Sequence, residues 1–214
     1  MRTKTLLLTA ALVAVGAASS MAQVYSQNAV GYVNTTIFPG FNLIANPLVQ
    51  ANTQLGTLLP AVPDSTSFYG FTPGVGFIIR QFVDGIGWDP DGNPDIAAGK
   101  GFFLQNAGAS SFTVTFVGDV AQGVLSVPVV NGFNLLGSRV PQSGLISSVL
   151  GFPGQDSDSA YIYNNDGVTA GYVIRQFVDG IGWDPDEPAL GVGKGIWINS
   201  SGAHASWVRT FSVN

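Results

Sequence analysis

Arg80-Gln81-Phe82-Val83-Asp84-Gly85-Ile86-Gly87-Trp88-Asp89-Pro90-Asp91 is written twice in this chain, returning letter for letter as Arg175 to Asp186. Asp-Gly between apolar, β-branched runs is the strongest short-range hairpin signal, so the chain is expected to turn at Asp84-Gly85 and at Asp179-Gly180. A two-residue turn sets Val83 against Ile86, Phe82 against Gly87, Gln81 against Trp88 and Arg80 against Asp89. The same spacing sets Arg175 against Asp184 and Gln176 against Trp183. On this register Arg80 and Asp89 face each other across the ladder, while Ile79, Val83, Ile86 and Trp88 gather around Gln81. Each block then reads as a hairpin pinned by an ion pair and anchored by a buried tryptophan.

A sharper alternative makes Trp88 and Trp183 exposed platforms that stack on sugar rings. Asp89 and Gln81, with Asp184 and Gln176 in the second block, then bind the hydroxyls, and two equivalent sites add avidity on a polymer.

Outward from the block the chain keeps matching itself. Gly40-Phe41-Asn42-Leu43 returns as Gly132-Phe133-Asn134-Leu135, and Gly99-Lys100-Gly101 as Gly193-Lys194-Gly195. Between these signposts lie short runs rich in Val, Ile, Phe and Tyr, separated by Gly, Pro, Asn and Asp, as strands and turns require. Thr53 to Leu59 and Ser143 to Leu150 each suggest one or two helical turns behind a capping residue type. The expected fold is all-β: two tandem copies of a small antiparallel β sandwich or barrel, each with one short helical turn, packed against each other. The expected boundaries are a signal peptide over 1–22, a first β repeat over 23–121 and a second over 122–214. No Pro- or Ser-rich linker separates the repeats, which favours packed copies.

The signal peptide rests on Arg2 and Lys4, the apolar run Leu6 to Ala18 and the small residues of Ser20-Met21-Ala22. Its loss takes the formal charge from −5 to −7. A net-negative surface without a basic patch argues against nucleic acid and anionic membranes as partners. No other stretch is long and apolar enough for membrane insertion as a helix. With Cys 0, no disulfide framework and no lipid-bearing cysteine are available. The chain is expected in the periplasm, at the cell surface or outside the cell.

Asp89, Asp91, Asn93 and Asp95 place oxygen ligands two residues apart, as calcium loops do. The loop's glycine comes too early for that frame, however, and Lys100 stands where a bidentate glutamate belongs. Calcium is the one cofactor the sequence suggests. Catalysis has little to build on: His204 is the only histidine, no cysteine is present, and no Gly-x-Ser-x-Gly elbow occurs. Gly191-Val192-Gly193-Lys194-Gly195 lacks the spacing and the hydroxyl of a phosphate loop. No enzyme activity is expected.

The succession of Gly-Phe-Asn-Leu, an aromatic strand, a Trp-bearing hairpin and Gly-Lys-Gly resembles a secreted bacterial β module whose usual form is Gly-Trp-Asn-Leu-Ile followed by Gly-Lys-Gly-Tyr-Trp. The opening Gln23 to Val33 is similar to that of uncharacterised exported β-module proteins of Gram-negative bacteria. The resemblance covers nearly all of the chain after residue 22 and implies an exported, non-catalytic β protein. A structural or adhesive role, packing with itself or with cell-envelope or extracellular polysaccharide, is expected.

Overall fold

Val30–Ile37 (β1) alternates exposed and buried side chains, the period of a strand with one face on a core. Its partner lies far along the chain: Phe112–Asp119 (β7), antiparallel, with Val30 against Asp119 and Ile37 against Phe112. The computed structural model of the chain describes residues 29–202 and 206–213. The signal peptide expected over 1–22 and the single histidine, His204, lie outside the described residues.

Five strands then build one sheet: Gly40–Ala45 (β2), Ser67–Thr72 (β3), Gly76–Val83 (β4), Gly87–Asp89 (β5) and Gly101–Asn106 (β6), in the order β2-β6-β3-β4-β5. After β7, Gly123–Val127 (β8) pairs with the last strand, Trp207–Phe211 (β16), in a second ribbon. Gly132–Gly137 (β9), Ser159–Asn165 (β11), Ala170–Val178 (β12), Gly182–Asp184 (β13) and Gly195–Ser200 (β15) form a second sheet, ordered β9-β15-β11-β12-β13. All of these pairings are antiparallel. The fold is all-β. Two-residue strands Gly144–Leu145 (β10) and Ala189–Leu190 (β14) join loops of the second half.

The helix among these residues is Leu55–Leu58 (α1), with Gln54 rather than Thr53 at its N-cap. The corresponding run Ile146 to Leu150 takes hydrogen-bonded turns instead. There Glu187 Oε1 accepts the amides of Ser147 and Ser148 at 2.6 and 2.8 Å.

Three apolar clusters hold the layers. One is drawn wholly from residues 33–120 and fills the space between the β1–β7 ribbon and the first sheet. A second is drawn from residues 127–207, between the β8–β16 ribbon and the second sheet. A third, of Leu43, Phe103, Leu135 and Trp197, lies between the two sheets. β6 and β15 therefore bury both faces, which explains their nearly unbroken apolar sequences. Phe102 and Leu104 point into the first cluster, Phe103 into the third.

The recurring asparagine has a defined job. Asn42 Oδ1 accepts the amide of Phe38 at 2.9 Å, and its Nδ2 donates to the carbonyls of Phe38 and Gly40 at 2.7 and 3.0 Å. Asn134 repeats this around Val130 and Gly132 at 2.9, 2.7 and 2.8 Å. Each side chain satisfies the backbone of the turn that launches its strand, at 2 % exposure.

Gly-Lys-Gly seals sheet edges. The amide of Ala45, at the free edge of β2, donates to Gly193 O at 3.0 Å, and that of Gly137, at the free edge of β9, to Gly99 O at 3.0 Å. Gly193 and Gly99 take φ of 72° and 96°, a left-handed turn open to glycine. Asn165 Nδ2 adds bonds to the carbonyls of Pro39 and Phe41 at 3.0 and 2.9 Å, covering more of the β2 edge.

Candidate functional site: an aromatic cleft between the sheets

The duplicated hairpin turns one residue later than the sequence suggests. Val83 pairs with Gly87, Phe82 with Trp88 and Gln81 with Asp89; the second block pairs Val178 with Gly182, Phe177 with Trp183 and Gln176 with Asp184. Ile86 N–H closes the turn on Val83 O at 3.0 Å. Both Gly85 and Gly87 then take positive φ, 75° and 101°. The second glycine absorbs one extra residue as a bulge, so the loop holds three residues. A one-residue slip moves every following side chain to the other face.

Trp88 thus joins Phe82 inside the sandwich instead of gathering around Gln81. Its ring meets Phe82 and Phe68 edge-on, centroids 5.5 and 6.4 Å apart, and Nε1 donates to Leu59 O at 2.8 Å. Trp183 packs on Phe177 and Phe152, and its Nε1 donates to Ser147 Oγ at 2.9 Å. At 6 % and 7 % exposure, neither ring offers a face to a sugar. Gln81, Asp89, Gln176 and Asp184 stay exposed at the sheet edge, separated from those rings by the strand itself.

The ion pair also moves. Arg80 and Arg175 bind Asp91 and Asp186 rather than Asp89 and Asp184, Arg80 Nε lying 3.3 Å from Asp91 Oδ1. β5 and β13 end at Asp89 and Asp184, where the acidic loops leave the ladder; Asp89-Pro90 and Asp184-Pro185 are cis peptide bonds. Of the residues suggested for calcium, Asp91, Asn93 and Asp95 have side-chain partners within the chain. Asp91 Oδ1 also accepts the amide of Asn93 at 3.0 Å. Asp95 Oδ2 lies 2.6 Å from Lys100 Nζ, and Gln54 reaches Asn93 at 3.4 Å. Among the described residues no group of three His, Cys, Asp or Glu stands where a metal ion could be held.

Other carboxylates serve the hairpin tips. Asp64 Oδ1 accepts the amide of Asp84, and Asp156 Oδ1 that of Asp179, both at 2.9 Å. These backbone bonds hold the Asp64 and Asp156 carboxyls below the ordinary value of 3.8. They are acceptors kept ionised, not proton donors.

What remains open lies between the sheets. On β4, Phe77 and Ile79 are 56 % and 53 % exposed; on β12, Tyr172 and Ile174 are 49 % and 54 % exposed. The two strands form opposing walls of a cleft in two lobes of about 490 and 330 Å³ that share Phe77, Tyr172 and Trp197. Trp197 makes its floor. Its ring sits edge-on to Phe71, Phe77 and Phe133 at 4.8, 6.0 and 5.8 Å between centroids. Phe103–Tyr163 at 5.6 Å and Tyr163–Tyr172 at 4.9 Å continue the lining across both halves. The groups that polarise it are tyrosine hydroxyls, of which Tyr69 donates to Gln105 Oε1 at 2.9 Å.

The walls also carry free backbone. β4 pairs with β3 along Gly76 to Gln81, but with β5 only from Gln81 to Val83. β12 likewise meets β13 only from Gln176 to Val178. The outer edges at Gly76–Arg80 and Ala170–Arg175 therefore have no strand alongside. Of the residues lining this cleft the sequence marked only Phe41 and Phe133, as members of the repeated Gly-Phe-Asn-Leu stretch, and not as a surface; Phe77-Ile78-Ile79 and Tyr172-Val173-Ile174 carry the further signal: apolar residues at consecutive strand positions, hence on both faces. No family model matches the chain, and neither the curated proteins nor the solved structures contain a match.

Proposed function

We propose that the chain is an exported, non-catalytic β protein with a structural or adhesive role at the cell envelope or outside the cell, and that the aromatic cleft is its contact surface. The observation that carries this reading is Phe77, Ile79 and Tyr172, half-exposed on unpaired strand edges above a floor of aromatic rings, with Ile174 half-exposed on the same edge as Tyr172. A contiguous open apolar patch marks an interaction surface, and an unpaired apolar edge is a template for another strand. The carboxylates' use as partners for arginines, lysine and backbone amides supports a role without chemistry.

The two sheets are read as products of a tandem duplication. The identical blocks Arg80–Asp91 and Arg175–Asp186, matching strand orders, the paired turn asparagines and the reciprocal bonds through Gly193 and Gly99 all support this. Such a history gives one chain two similar contact edges, which suits assembly.

Light scattering of residues 23–214 from micromolar to millimolar concentration, together with co-sedimentation with isolated cell envelopes, tests the role. Association is expected, and Ile79→Lys with Ile174→Lys abolishes it, because a lysine on a strand edge blocks pairing. A strict monomer that also ignores envelopes removes the proposal.

A further inference from the structure

The β8–β16 ribbon carries a charge where the first ribbon carries a ring. With Gly40-Phe41-Asn42-Leu43 laid on Gly132-Phe133-Asn134-Leu135, Val33 falls on Leu125. Their ladder partners are Phe116 and Arg209. Phe116 is 1 % exposed and lies in the first core. The same alignment sets Arg139 where the first half has Pro47. Two cations thus stand at one place in the second half for which the first half uses apolar residues.

Arg139 and Arg209 meet at a small pocket walled by Leu125, Val127, Val140, Leu150 and Trp207. Its free space is about 10 Å³, room for the centre of one water-sized sphere. The guanidinium groups are held in place from outside. Arg139 Nη1 donates to Ser126 O at 3.1 Å, Arg209 Nη2 donates to Gln142 Oε1, and Arg209 lies 5.5 Å from the Phe211 ring centroid. Arg139 Nε and Arg209 Nη1 are buried with no acceptor among the protein atoms. No carboxylate lines the pocket, and the ion pairs among the described residues are formed by Arg80, Lys100 and Arg175. Burial also lowers the pKa of Arg209 from its ordinary value, the direction for a cation stripped of water without a counter-charge.

Buried cationic N–H groups without a partner are costly, and two together more so. A chain with 13 acidic residues has placed none of them here. Apolar walls disfavour strongly hydrated anions such as sulfate and phosphate, and two unpaired N–H groups suit a single monatomic acceptor. We propose that this pocket is an anion site that takes one small, weakly hydrated monovalent anion of the halide class between Arg139 Nε and Arg209 Nη1. The ion ties β16 to the Ser138–Val140 loop and so fastens the second ribbon to its sheet.

The test uses residues 23–214 with bromide and chloride, against gluconate at equal ionic strength. The melting temperature rises saturably with either halide, by roughly 3–6 °C at tenfold the half-saturating concentration. Arg139→Met and Arg209→Phe each remove the halide-specific rise. A rise that survives both substitutions, or no difference between halide and gluconate, overturns the site. Should Arg209→Phe not fold, bromide-soaked crystals of the wild type decide through anomalous scattering. A bromide peak within hydrogen-bond distance of both nitrogens supports the site; a water there, or bromide bound only elsewhere, overturns it.

Discussion

Gly137 lies so close to Ala45 that a Cβ placed on it would stand 2.2 Å from the Ala45 Cβ. This contact sits where the free edge of each sheet takes a bond from the Gly-Lys-Gly turn of the other half. Gly137→Ala should destabilise the protein by about 1–3 kcal/mol, the cost of overpacking a close-fitting interface. Ala45→Gly made with it should recover much of that loss, because the two methyl groups compete for one space. Denaturant titration of the two single variants and the double variant checks it; additive effects would refute the contact.

Asn134→Ala removes the acceptor and donors that satisfy Val130 and Gly132. Leaving those partly buried backbone groups without protein partners should cost roughly 1–2 kcal/mol. Asn134→Asp restores only the acceptor for the Val130 amide and should rescue part of that. Urea midpoints of the two variants give the order, and an Asn134→Ala variant as stable as wild type refutes the role.

All four tryptophans are buried, from Trp207 at 4 % to Trp197 at 8 % exposure. Native emission should therefore be blue-shifted and weakly quenched by acrylamide. Polysaccharides are not expected to quench Trp88 or Trp183. An apolar occupant of the cleft should change the signal through Trp197, and Trp197→Phe should abolish that response while leaving the other three rings as reporters. Quenching by sugars that disappears in Trp88→Phe would instead return the binding surface to the hairpin.

Acid should loosen the hairpins before the cores. Asp64 and Asp156 are lowered by the amides of Asp84 and Asp179, Asp91 by the amide of Asn93 and then by Arg80, and Asp166 by the amides of Thr169 and Val168. A depressed carboxylate stabilises the fold above its unfolded value of 3.8 and loses that contribution as the pH falls through the lower folded value. Stability should be level down to that point and decline below it. Asp64→Asn should make the decline shallower, as read from melting temperature against pH. A decline that begins near neutrality would mean other groups control it.

Strand positions and turn residues were legible because Gly, Asn and Asp mark their turns and the halves repeat them. The hairpin register was not. Asp84-Gly85 signals a turn, but Gly87 decides that the loop is one residue longer, and that single residue separates a tryptophan beside Gln81 from one inside the core. The cleft was hidden for a different reason. Phe77, Ile79, Tyr172 and Ile174 read as ordinary strand residues, and their exposure depends on the unequal lengths of β4 and β5, and of β12 and β13. Arg209 on β16 and Arg139 in the loop after β9 were obscured too, since matching Ser111-Phe112 to Ser206-Trp207 by sequence misses the ladder position at which Arg209 replaces a core ring.

The reciprocal bonds through Gly99 and Gly193 make each half the cap of the other. Melting one half strips the opposite sheet of its edge cover and of its share of the Leu43–Trp197 cluster. The two halves should therefore unfold as one cooperative unit, with calorimetric and van't Hoff enthalpies in agreement. Cutting the chain between them is expected to yield not two small stable domains but two fragments that need each other.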